Sequence, residues 1–74
     1  MNLSAPMLCL AKDAIRRSPI PALRGISVEE SESRIILRGS VPSYYLKQLA
    51  QETVMPVLSG RELSNRLTVE RPSV

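Results

Sequence analysis

Two kinds of apolar spacing alternate along this chain, and their order restricts its fold more than any other feature. Near the amino terminus, apolar residues recur every three or four positions, which is the spacing of one helix face. These residues are Leu3, Met7, Leu10, Ala11, Ala14 and Ile15. Ser4 is a suitable N-cap, and Ser18-Pro19 ends the pattern. The spacing predicts a first helix over about 4–17.

Two segments that alternate apolar and polar residues follow, as half-buried strands do. They are predicted over about 26–29 and 34–41, and the polar Ser31-Glu32-Ser33 between them indicates a hairpin turn. The three glutamates around this turn are interpreted as a charged rim, because the ligand spacing and central glycine of a calcium loop are absent. They are Glu29, Glu30 and Glu32.

A second helix and a third strand complete the pattern. Ser43 is the expected N-cap of a helix over about 43–57, whose last turn Pro56 is expected to shorten or distort. Gly60 is then the residue best able to take a left-handed conformation after the helix. Alternation resumes in a strand over about 62–70.

The element order α-β-β-α-β, with one apolar stripe or parity in each element, predicts an α+β two-layer sandwich. We expect a three-stranded mixed sheet with two helices on one face. The second helix connects the second and third strands, so these two strands should be parallel and joined by a right-handed crossover. A chain of 74 residues has room for one small domain, predicted over 1–74. Because Phe and Trp are absent, its core must be aliphatic.

The composition argues against several kinds of chemistry. The chain has no His and one Cys, so Ser–His and Cys–His catalytic pairs and thiolate-cage zinc sites are excluded. We therefore predict no enzymatic activity, no cofactor and no metal site, and we interpret Cys9 as a small buried hydrophobe. No stretch approaches the roughly 20 apolar residues of a transmembrane span. The net charge of +3 is spread evenly, unlike the basic patch typical of nucleic-acid binders.

Two inward positions on the strands are not aliphatic. Gly39 lies between Leu37 and Val41, where a missing side chain predicts the close approach of a helix. Asn65 lies on the inward parity of the last strand and must find hydrogen-bond partners, most simply in the turn at Gly60. Both residues are interpreted as structural.

The residues that fill this order resemble a BON domain (bacterial OsmY and nodulation domain) from Ala14 to Val69. The family's apolar-x-Leu-x-Gly-x-Val strand is matched by 35–41, Ile35-Ile36-Leu37-Arg38-Gly39-Ser40-Val41. Its closing pattern is matched by Val57-Leu58-Ser59-Gly60 and by Leu63-Ser64-Asn65-Arg66-Leu67-Thr68-Val69. Two departures stand out. The hairpin lacks the usual Gly or Asn-Gly, and Arg61 stands where an apolar residue often follows the glycine.

The resemblance implies a non-enzymatic module that attaches to phospholipid membranes or to other proteins of the bacterial envelope. It also implies a periplasmic or envelope location. The amino terminus does not have the pattern of a secretion signal, because its apolar stretch is short, contains Pro6 and follows no Lys or Arg. A cytoplasmic protein and a domain excised from a longer exported chain therefore both stay open.

The start of the second helix is the candidate lipid-binding site. Tyr44 and Tyr45 are paired rings with polar tips, which suit a headgroup interface, and Lys47 adds a cation one turn later. The amides of a helix start also favour an anion such as phosphate. This reading predicts weak, peripheral binding to anionic phospholipid. The alternative is that Tyr45 covers the edge of the core and Tyr44 is an ordinary surface residue.

The open face of the sheet is the candidate protein-binding site. Its residues of interest are Arg34, Ile36, Arg38 and Arg66, with Ile36 apolar where water is expected. This face would serve a protein partner or weak self-association, although its charges also suit simple cross-strand pairs. RNA binding through a KH-like fold ranks third. The glycines at 25, 39 and 60 form no G-x-x-G loop, and the open face has no aromatic residue for base stacking.

Overall fold

The computed structural model describes residues 10–70 and shows an α+β fold in the predicted order. Its elements are helix α1 (Leu10–Arg16), helix α2 (Pro21–Arg24), strands β1 (Ser27–Glu30) and β2 (Arg34–Val41), helix α3 (Tyr44–Val54), a 3-10 turn (Met55–Val57) and strand β3 (Glu62–Val69). The predicted cap at Ser4 and the predicted burial of Cys9 lie outside the described residues.

Some differences from the predicted bounds have local causes. Helix α3 ends at Val54 and continues as a 3-10 turn that contains Pro56, which lacks the amide that the next helical hydrogen bond needs. Strand β1 begins and ends one residue later than predicted, at Ser27 and Glu30, and nothing in the structure explains this shift. Helix α2 was not predicted, because four residues are too few to show a helical period.

The three strands form one mixed sheet in the order β1-β2-β3. Strand β1 pairs antiparallel with β2, with Val28 opposite Leu37. Strand β3 pairs parallel with β2 along its whole length, from Arg34 opposite Glu62 to Val41 opposite Val69. The parallel pairing confirms the prediction that α3 connects two parallel strands.

The core lies between one face of the sheet and the helices. Ile35 and Leu37, on the central strand, are completely buried, as are Ala11 of α1 and Ala50 of α3. Strand parity confirms the two-layer arrangement, since the alternate residues of β2 are exposed or half-buried. The core is aliphatic throughout, consisting of Ala11, Ile15, Leu23, Ile26, Val28, Ile35, Leu37, Val41, Ala50, Val54 and Leu67.

The hairpin between β1 and β2 is closed by a serine side chain. The Ser31 hydroxyl oxygen accepts hydrogen bonds from the amides of Ser33 and Arg34, at 3.4 and 3.2 Å. The Ser31 amide donates to the Arg34 carbonyl at 2.9 Å. Hydrogen bonds between a hydroxyl and the backbone stabilise this turn, although its sequence lacks the Asn-Gly pair typical of tight hairpins.

Two glycines take positive φ values, each for a different reason. Gly60 has φ 82° in the turn that follows α3, as predicted. Gly39 has φ 130°, and a Cβ atom there would lie 3.4 Å from the Cα atom of Ile26. The predicted approach of a helix at Gly39 is therefore wrong. The backbone that comes close belongs to Ile26, the residue just before β1.

Candidate functional site

The start of α3 presents two neighbouring tyrosines to solvent. Ser43 caps the helix, its hydroxyl accepting a hydrogen bond from the Leu46 amide at 3.2 Å. This cap fixes the first turn, so the side chains of Tyr44 and Tyr45 start from a defined backbone. The two residues are 68% and 71% exposed, so neither ring covers the core.

The two tyrosines lie beside different charges. Tyr44 lines an open groove with Lys47, Gln48, Gln51 and Asn65, in which Lys47 is the only ionisable group besides the phenol. Tyr45 lines a second groove with Gln48, Leu49 and Glu52. The Glu52 carboxylate accepts a hydrogen bond from Nε2 of the Gln48 side chain at 3.3 Å. The side of α3 that carries Tyr44 is therefore the side suited to an anion.

Asn65 ties β3 to this part of α3. Its Nδ2 atom donates to the Lys47 carbonyl at 3.0 Å and to Oε1 of Gln51 at 3.4 Å. Its Oδ1 atom accepts the Leu67 amide at 3.2 Å. The prediction that Asn65 bonds within the Gly60 turn is wrong, since its partners lie on α3 and on its own strand.

Ion pairs occupy much of the open sheet face. Arg34 bonds Glu62 across the strands at 3.2 Å, and Arg38 bonds Glu29 at 2.9 Å. Arg66 donates to the Ser64 hydroxyl at 3.2 Å. These contacts are what a solvated face with cross-strand pairs would show.

Ile36 lies half-buried on the same face, between Glu29 on β1 and Ser64 on β3. A single apolar residue of this kind is common on protein surfaces. Together, the four predicted partner-binding residues therefore lie on one face, but they do not form an apolar patch.

The structure also gathers cations that the sequence analysis did not single out. Within residues 10–70, ion pairs engage Arg17, Arg34, Arg38 and Arg61. One groove between α1 and β1 is lined by three of the other cations and, among the described residues, by no acidic side chain. These cations are Lys12, Arg16 and Arg24, and we call this groove the basic groove. Their separation in sequence hid the cluster, since only the spacing of Lys12 and Arg16 is that of a helix face.

Glu30 and Arg61 form a buried ion pair, so the prediction of a solvent-exposed glutamate rim is wrong at Glu30. Arg61 Nη1 lies 3.0 Å from Glu30 Oε2, and the two side chains are only 6% and 3% exposed. The Glu30 carboxylate also accepts the amides of Ala11 and Lys12 at the described start of α1, both at 3.1 Å.

The rest of the Arg61 guanidinium is satisfied by backbone carbonyls. It donates to Leu58 and Val57, both at 2.8 Å, and to Ser31 at 3.4 Å. The pair therefore joins α1, the hairpin and the end of α3 at one buried point. Arg61, which departs from the family pattern at the sequence level, is explained as the partner of Glu30.

The described residues show no arrangement typical of a reactive centre. Residues 10–70 contain no group of three or more His, Cys, Asp or Glu side chains placed to hold a metal ion. Among the same residues, no helix has the length and apolar character needed to cross a bilayer. The surfaces that remain are the tyrosine-bearing start of α3, the open sheet face and the basic groove.

The fold and these surfaces define a small α+β module. The family model for the BON domain matches residues 11–71, and the chain belongs to this family. BON domains are generally non-catalytic modules that are often associated with membranes or the envelope. Comparisons with curated proteins and with solved structures find no significant match.

Proposed function

We propose that this domain attaches weakly and peripherally to anionic phospholipid through the start of α3, with Tyr44, Tyr45 and Lys47 as the contact residues. The observation that carries the proposal is the exposure of both tyrosines, at 68% and 71%, on the capped first turn of a helix. Amphipathic rings in this position suit the boundary between headgroups and acyl chains.

The charge near each ring favours one orientation on the membrane. Lys47 lines the Tyr44 groove, whereas Glu52 lines the Tyr45 groove. A cation near an anionic surface contributes about 1 kcal/mol, and an anion opposes binding. Tyr44 and Lys47 are therefore expected to meet the headgroups, with Tyr45 at the border of the contact.

Binding to vesicles tests the proposal. We expect the protein to co-sediment with vesicles that contain phosphatidylglycerol and to leave neutral phosphatidylcholine vesicles largely unbound. The Lys47→Ala substitution should weaken binding about fivefold, the loss that about 1 kcal/mol represents. Adding Tyr44→Ala should weaken it further, because an interfacial ring is lost.

Two matched variants separate this site from other cations. Arg66→Ala removes a cation from the open sheet face and should leave vesicle binding close to that of the wild type. The double variant Arg16→Ala/Arg24→Ala removes two cations from the basic groove. If this double variant abolishes binding while Tyr44→Ala/Lys47→Ala does not, the groove is the contact surface and the proposed site is wrong. Equal binding to neutral and anionic vesicles would refute the lipid preference itself.

A further inference from the structure

Strand β3 is an edge of the sheet and carries a row of backbone groups that face away from β2. The amide of Glu62 donates to the Ser33 carbonyl at 3.0 Å, and the amide of Glu70 donates to the Val41 carbonyl at 2.8 Å. The backbone N–H and C=O groups of successive residues point to opposite edges of a strand. In β3, those of the even-numbered residues therefore point toward β2, and those of the odd-numbered residues point outward. Within residues 10–70, no further strand pairs with this outer edge.

An open edge of this length is a template for pairing with another strand. Leu67 lies near its middle, and its amide points outward by the alternation just described. That amide is already engaged, because Asn65 Oδ1 accepts it at 3.2 Å. The Asn65 side chain is held in place by the bond from its Nδ2 to the Lys47 carbonyl at 3.0 Å.

We infer that Asn65 keeps the outer edge of β3 closed to strand addition, and that a second copy of this chain is the partner the edge accepts once the Leu67 amide is released. Two antiparallel registers overlap most of the strand. A register centred on residue 65 pairs Leu67 with Leu63 of the copy, and one centred on Arg66 pairs Leu67 with residue 65 of the copy. Both registers need the Leu67 amide as a donor.

The two registers differ in the charges they place opposite each other. The register centred on Arg66 sets Arg66 against Arg66 and Glu62 against Glu70, and like charges directly opposite are destabilising. The register centred on residue 65 sets Glu62 against Thr68 and Ser64 against Arg66, so no like charges meet. Release of the Leu67 amide is therefore expected to favour the register centred on residue 65.

The Asn65→Val substitution tests this inference by removing the acceptor. We expect the wild type to sediment as a monomer and the variant to sediment as a dimer at the same concentration. In the dimer, hydrogen exchange at the outward amides of Leu63 and Val69 should slow several-fold relative to the wild type. A variant that stays monomeric with its fold intact would overturn the inference.

Two further variants separate the acceptor role of Asn65 from a general effect of apolar character on β3. Ser64→Val adds a similar apolar side chain to β3, but its amide faces β2, so it should remain monomeric. Dimerisation of Ser64→Val to the same extent would show that apolar character alone drives association. Asn65→Ser keeps an uncharged oxygen that can accept the Leu67 amide two residues on, and should also stay monomeric. If it dimerises as readily as Asn65→Val, the acceptor role is wrong.

Hydrogen exchange in the wild type tests whether Asn65 engages the Leu67 amide, even if the variants do not fold. The Leu67 amide should exchange with solvent several-fold more slowly than the outward amides of Leu63 and Val69. Equal exchange at all three amides would contradict the proposed engagement of the Leu67 amide by Asn65.

The Ile36→Asp substitution is a control for the surface used by the Asn65→Val dimer. It should leave the dimer intact, because Ile36 lies on the sheet face and not on the outer edge of β3.

Discussion

At the scale of single residues, the Glu30–Arg61 pair brings two charged side chains together where they are 6% and 3% exposed for Arg61 and Glu30. A buried ion pair gains little over an apolar pair of equal volume, but removal of one partner leaves an uncompensated charge. Here Glu30 accepts two α1 amides in addition to Arg61, and Arg61 donates to three carbonyls. The pair therefore satisfies backbone groups in three segments at once.

Arg61→Met should lower the free energy of unfolding by about 3–5 kcal/mol, because it leaves the Glu30 carboxylate buried without its counterion. Urea unfolding followed by circular dichroism measures the loss. Adding Glu30→Leu should recover part of the lost stability, because it removes the buried carboxylate that has no counterion. The control is Arg34→Met, which breaks an exposed pair and should cost less than about 1 kcal/mol. Equal losses from both single substitutions would contradict the role given to burial.

At the scale of secondary-structure elements, the cap of α3 links stability to the candidate site. Ser43→Ala removes the acceptor of the Leu46 amide and should lower the free energy of unfolding by about 1 kcal/mol, the usual cost of losing a serine cap. Ser40→Ala is the matched control, since Ser40 is an exposed strand residue. Thermal unfolding of the two variants makes the comparison. A Ser43→Ala midpoint as high as that of Ser40→Ala would show that the cap is energetically silent.

The elements were largely predictable from the sequence because their signals are local. The parity of β2 and β3 and the spacing of α3 each lie within a short window, and the family resemblance supported their order. The predicted Pro56 effect likewise depends on one residue and its neighbours. Helix α2 was not predicted, because the four residues Pro21–Arg24 are too few to show a helical repeat of apolar residues.

Contacts between distant residues were not predictable in the same way. Glu30 and Arg61 are 31 positions apart, and each has a plausible exposed interpretation when read with its neighbours alone. The bond from Asn65 to the Lys47 carbonyl crosses from β3 to α3 and depends on how the two layers dock. The exposure of Tyr44 could be predicted from helical spacing alone, and the structure shows Tyr45 exposed as well. The basic groove, by contrast, required the fold to bring Arg24 beside Lys12 and Arg16.

At the scale of the whole molecule, the net charge of +3 makes attraction to an anionic surface weak and sensitive to ionic strength. Because Glu52 lies beside Tyr45, Glu52→Gln should strengthen binding to anionic vesicles a few-fold by removing a repulsive charge. Glu62→Gln, on the open sheet face, is the control that makes the same change in net charge. Co-sedimentation at low and high salt should show a gain for Glu52→Gln that disappears at high salt. Equal gains in both variants would assign the effect to net charge and not to position.

The position of the Glu30–Arg61 pair also bears on how the molecule assembles. Its two ions come from opposite ends of the hairpin–helix–strand path, so they meet only after the chain has closed on itself. A partly assembled molecule would hold one dehydrated ion without its counterion, which costs more than leaving both in water. Such intermediates are penalised, and the domain is expected to fold and unfold as one cooperative unit.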